Sequence, residues 1–178
     1  MRPALFSLFR RILPPVILAL NMAIAPADSA ADILEVEQSV FGMDCAPCAY
    51  GVERSLKKLD GVTEVTVSLN EGLVKMSLAP ENRVTLTEIR KRILDNGFTP
   101  KDAIVRISGV LDTRTSVPRL TTTGNVEYVL SPAQGFVESQ WAELNAMHSG
   151  SKVEVRGRVE PGMNEPLAVL VTESRRAH

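Results

Sequence analysis

Gly42-Met43-Asp44-Cys45-Ala46-Pro47-Cys48 holds both cysteines of this 178-residue chain, two residues apart, and leads straight into a helix-like pattern. That spacing turns two thiolates toward one small ion. On the N-terminal side, Leu34, Val36 and Val40 alternate with Glu35 and Glu37, the period of a half-buried strand. On the C-terminal side the spacing predicts a helix over 46–59, with Ala49, Val52, Leu56 and Leu59 on one stripe and Glu53, Arg54, Lys57 and Lys58 facing water. Asp60-Gly61 ends it. Two alternating runs follow, Val65, Val67, Leu69 and Val74, Met76, Leu78, joined by Asn70-Glu71-Gly72 in a hairpin. Thr85 and Glu88 have capping-box spacing at the head of a second helix with Leu86, Ile89 and Ile93 inside, which Asn96-Gly97 terminates. The order from 33 to 107 is β-α-β-β-α-β, that of a ferredoxin-like α+β sandwich.

Residues 42–102 resemble the heavy-metal-associated domain, the module of soft-metal chaperones, mercury-binding proteins and the cytosolic ends of metal-pumping ATPases. The Gly-Met-x-Cys-x-x-Cys core carries the likeness. Leu59-Asp60-Gly61-Val62 and Asn96-Gly97-Phe98 extend it. The resemblance implies that Cys45 and Cys48 ligate the ion, that Met43 packs beneath the loop, and that Phe98 lies beside it and shields the sulfurs. Plain core filling is the simpler alternative for Phe98. In that fold the cysteines sit at a helix N-terminus, where unpaired N–H groups and the helix dipole favour thiolate over thiol.

Two sulfurs from one loop suit Cu(I) or Hg(II) and leave the ion open to a further ligand from a partner. A closed zinc site wants four donors, and the chain adds only His148 and His178, both remote in sequence. Asp44 pulls the other way. It resembles the acidic residue of zinc- and cadmium-exporting relatives as a third ligand, and a carboxylate favours Zn(II) or Cd(II). Pointing into solvent or capping the helix is its other role. The sequence leaves both metal classes open.

Residues 1–31 read as an export signal, with Arg2, Arg10 and Arg11 ahead of the apolar stretch 12–25 and small residues around 25–31. Pro14, Pro15 and Asn21 argue against the alternative, an uncleaved anchor. A periplasmic or secreted location follows. That compartment is oxidising, so vicinal thiols there tend toward disulfide unless metal or a reductant protects them. Without 1–31, which carries three arginines and Asp28, 17 basic residues face 20 acidic ones. A mildly acidic chain without a basic run argues against nucleic acid or an anionic membrane as the main partner.

Past the metal domain, 32–102, a small β-rich domain is expected over 103–178. Residues 103–111 form a strand, part of which is also suited to closing the first sheet, so the boundary falls between 101 and 109. A long loop over 112–124, strands at 125–130 and 136–137, a helix over 138–147 around Trp141 and Leu144, and strands at 153–159 and 167–171 complete it. Three strands, a helix and two strands is the order of a small Greek-key barrel, and it resembles an OB-type domain. Aromatic interleaving for a nucleic acid or saccharide is absent, which leaves a docking or structural role. The chain reads as a non-enzymatic metal carrier, monomeric when metal-free, that passes one ion to a membrane metal transporter or another exported metalloprotein. A periplasmic thiol–disulfide protein is the alternative from the same two cysteines, and an adaptor with an unused metal loop is the third.

Overall fold

The computed structural model describes residues 32–177. The expected signal lies outside the described residues. No helix among the described residues is long and apolar enough to cross a membrane.

The first half is built as its periodicity dictates. Strand β1 (Ile33–Phe41) is followed by helix α1 (Ala46–Leu56), strands β2 (Val62–Ser68) and β3 (Leu73–Leu78), helix α2 (Leu86–Asp95) and strand β4 (Thr99–Asp112). The sheet order is β2-β3-β1-β4, all neighbours antiparallel. Val52 and Leu56 of α1 and Leu86, Ile89 and Ile93 of α2 are fully buried against Val36, Val74 and Val105 of the sheet. This is the ferredoxin-like sandwich.

Helix α1 stops three residues short of the expected end. Its last turn tightens, with the Leu59 amide donating to Leu56 O at 3.0 Å, and Leu59 is still buried. Ala49 is only half-buried because it lies one turn from the exposed loop. At the head of α2, Thr85 Oγ1 accepts from the Glu88 amide at 3.0 Å, so the expected cap is present.

Strand β4 continues through the division drawn at 102/103 without a break. Ala103, Val105, Ile107 and Leu111 alternate inward along its whole length. One edge pairs with β1; the other pairs with β7 (Lys152–Val159) from Ala103 to Val110. The two halves therefore share a strand, and the position of the division is not marked by a linker.

Beyond β4 come β5 (Arg119–Thr121), β6 (Glu127–Pro132), α3 (Glu138–Ala146), β7 and β8 (Leu167–Arg176). Their order, β4-β5-β6-β8-β7 and back to β4, closes a five-stranded barrel with one parallel pair, β6 with β8. Two expectations are corrected. Strand β5 lies inside the stretch read as a loop, because three residues are too few to show a period. The strand expected at 136–137 is instead a turn, with the Phe136 amide donating to Ala133 O at 3.0 Å and the Phe136 ring set edge-on to Trp141.

Barrel closure needs two close backbone approaches. A Cβ on Gly109 would stand 2.5 Å from Leu120 Cγ, and one on Gly157 would stand 2.5 Å from Leu170 O. Across the outer face, ion pairs tie the barrel strands to β1: Arg106 with Glu35, and Arg156 with Glu37 at 3.2 Å.

Candidate metal centre

The loop between β1 and α1 is shaped by three residues. Gly42 takes φ +91°, a left-handed conformation that a side chain strains, and turns the chain off the end of β1. Met43, 3% exposed, drops into the core and pins the loop from below. Cys45 is then the N-cap of α1 in extended conformation, and Pro47 sits in the first turn, where its missing N–H costs nothing.

Both sulfurs lie at the positive end of α1. Cys45 Sγ accepts from the Cys48 amide at 3.2 Å, so the sulfur takes the place an oxygen holds in most N-caps. No acidic residue in the first turn offsets this field, and Arg54 occupies the last turn. Both cysteines are half-buried. In this structure they are joined as a disulfide, with Cα atoms 5.1 Å apart. A closed disulfide has no thiolate to offer, so ion capture requires its two-electron reduction to two thiols.

Phe98, half-buried, packs against the core and reaches the loop: its Cδ1 is 4.0 Å from where a Cβ on Gly42 would lie. Asp44 is exposed. Among the described residues no group of three His, Cys, Asp or Glu side chains is placed to share an ion. His148 is exposed in the turn after α3, and His178 lies outside the described residues.

The sequence 38–99 matches the family model of the heavy-metal-associated domain. The copper chaperone CopZ of Staphylococcus saprophyticus is 36% identical over 72 residues, which span 40% of this chain and 98% of that protein. The chain belongs to the heavy-metal-associated domain family. The CopZ of Staphylococcus haemolyticus is 38% identical over 63 residues, covering 35% of this chain and 91% of that protein. A zinc-transporting ATPase of Synechocystis is 34% identical over 71 residues, 38% of this chain and 10% of that protein. The heavy-metal-associated match ends at 99, where β4 begins, so the barrel lies beyond it.

Several residues that shape this neighbourhood escaped the sequence reading. Gln38 and Arg90 are buried at 0% and 1% exposure. Gln38 reads as one polar position in an alternating strand, and Arg90 as one of three basic residues on a helix; only the barrel packed against α2 makes that position interior. Tyr128 of β6, 1% exposed, shares a hydrogen bond with the Leu86 backbone at the head of α2, and burial pushes its phenol well above the usual tyrosine range.

Proposed function

We propose that this protein, once reduced, takes one Cu(I) ion between Cys45 and Cys48 and passes it to a partner by stepwise sulfur exchange. The observation that carries the reading is the pair of sulfurs set at the N-terminus of α1, with Cys45 itself as the cap. Two thiolates satisfy a soft monovalent ion and leave it reachable by a third, whereas Zn(II) asks for a fuller donor set. The exposure of Asp44 and the names of the copper-chaperone relatives both support Cu(I) over Zn(II), Cd(II) or Hg(II).

The partner is a membrane metal transporter or an exported metalloprotein that presents its own thiolates. In the oxidising compartment suggested by residues 1–31, the pair is kept open by a dithiol donor: one disulfide opens here while one forms in the donor. The chain is a carrier and not an enzyme. Its barrel is of OB type, supported by the strand order first-second-third-fifth-fourth and by a helix between third and fourth strands. It serves as a structural module.

Titration of the reduced protein with Cu(I) under anaerobic competition tests this reading. One ion per chain is expected for wild type, with loss in Cys45→Ser and in Cys48→Ser. Catalysed disulfide reduction without bound metal would instead favour the redox alternative.

A further inference from the structure

Arg90 heads the large fully buried side chains among the described residues, and metal ligation makes no use of it. Its guanidinium reaches both halves of the molecule. Nε donates to Gln38 Oε1 at 3.2 Å, one terminal nitrogen to Gly162 O at 2.6 Å, and the other to Val159 O at 3.3 Å and Lys101 O at 3.4 Å. Val159 and Gly162 belong to the barrel, at the end of β7 and in the loop that follows; Gln38 belongs to β1. A planar fork of five N–H groups spans acceptors in these directions, as a single ammonium does not.

A second observation lies where Gln38 points. Gln38 pairs with Ala103, but Val40 pairs with Pro100, so Lys101 and Asp102 together face Ser39 alone. This is a β-bulge, which takes backbone groups out of the ladder and re-aims the strand. Gln38 Nε2 fills it, donating to Lys101 O at 2.8 Å, Ser39 O at 2.9 Å and Asp102 O at 3.2 Å. Just past the bulge β1 ends at Phe41, and the chain enters Gly42 and the cysteine loop. Lys101 Nζ lies over the Phe41 ring, 5.5 Å from its centroid.

We propose that Arg90 is a positioning residue through which the barrel fixes the bulge in β1 and β4, and with it the direction in which the Cys45–Cys48 loop leaves the sheet. The barrel carbonyls hold the guanidinium, the guanidinium holds the Gln38 amide, and the amide holds the bulge. Without the carbonyls of Val159 and Gly162 a buried cation loses half its acceptors and leaves its site. The consequence for metal rests on the Cu(I)-carrier reading above; the consequence for the loop does not.

Arg90→Met, Arg90→Lys and the control Val155→Ala, which opens a cavity in the barrel core away from Arg90, test the proposal in the full chain. Each reduced protein is measured for Cu(I) affinity by competition and for amide exchange over residues 39–48. Arg90→Met is expected to bind Cu(I) roughly tenfold more weakly, the order found for supporting partners of metal ligands, and to exchange faster at 39–42. Arg90→Lys should fall between it and wild type, and Val155→Ala should keep wild-type affinity and exchange in the loop. A folded Arg90→Met with wild-type affinity and exchange overturns the proposal, and so does an equal loss in Val155→Ala. If Arg90→Met does not fold, Gln38→Met at the same junction takes its place with the same expected and contrary results. If reduced wild type binds no Cu(I), the carrier reading falls, and the exchange comparison alone decides the positioning role.

Discussion

Cys45 does two jobs with one atom. Its sulfur caps α1, accepting from the Cys48 amide at 3.2 Å, and in the proposed carrier it is the first of the two donors. Serine also caps a helix, so Cys45→Ser is expected to keep the fold while removing a soft ligand. That makes it a cleaner probe of ligation than alanine. Asp44 is exposed and outside any three-donor group; Asp44→Thr should therefore leave the preference of the reduced protein between Cu(I) and Zn(II) unchanged, measured by competition with both ions present. A shift toward Cu(I) in the variant would restore the carboxylate as a ligand. At this scale the sequence was legible where a motif has one purpose: Cys45, Cys48 and the inward Met43 stand where spacing and family likeness put them. Arg90 was illegible because a basic residue on a helix faces water unless another part of the chain covers it, and that cover comes from residues 159 and 162, some seventy positions on.

Among elements, α1, α2 and the β2–β3 hairpin declared themselves through period and caps, since each is long enough to bury a stripe or a face. Strand β5 did not, being three residues between threonine-rich segments, and it exists because β4 and β6 hold it from both sides. The close approaches that closure demands give a test of the barrel. Gly157→Val sets a side chain against Leu170 O and Val169 and is expected to cost about 3 kcal/mol or to prevent folding, the upper end of overpacking, measured by urea unfolding. The contact of β6 with α2 is pH-dependent. The Tyr128 phenol is raised, chiefly by burial, so the folded state keeps its proton at pH values where the unfolded chain, titrating near 10, gives its proton up. Its contribution is fully present below pH 10 and is lost as pH rises beyond that. The urea midpoint of wild type should fall between pH 9 and about 11 more steeply than that of Tyr128→Phe. Tyr128→Phe, lacking the bond to the Leu86 backbone, should start about 1 kcal/mol lower at neutral pH. Parallel pH profiles for the two proteins would contradict this account of the contact.

For the molecule as a whole, one 14-residue strand belongs to both the sandwich and the barrel. The sequence reading placed a strand at the junction and allowed part of it to close the first sheet. Composition gave no linker because there is none. A shared strand, a buried guanidinium bonded to both halves and ion pairs from β4 and β7 to β1 make separate unfolding of either half costly. Trp141, the only tryptophan, lies in the barrel region at α3, so its fluorescence reports that half while far-ultraviolet dichroism reports all of the secondary structure. The two are expected to give coincident urea transitions, whereas separated midpoints would mean two independent units. On the proposal above, the same unity makes the barrel the fixed body against which the cysteine loop is aimed. Intact-mass spectrometry of the chain with Cu(I), before and after chemical reduction, tests the central claim most directly. One copper ion per reduced chain is predicted, none on the disulfide form and none on reduced Cys45→Ser; equal copper on all three, or none on the reduced wild type, would contradict it.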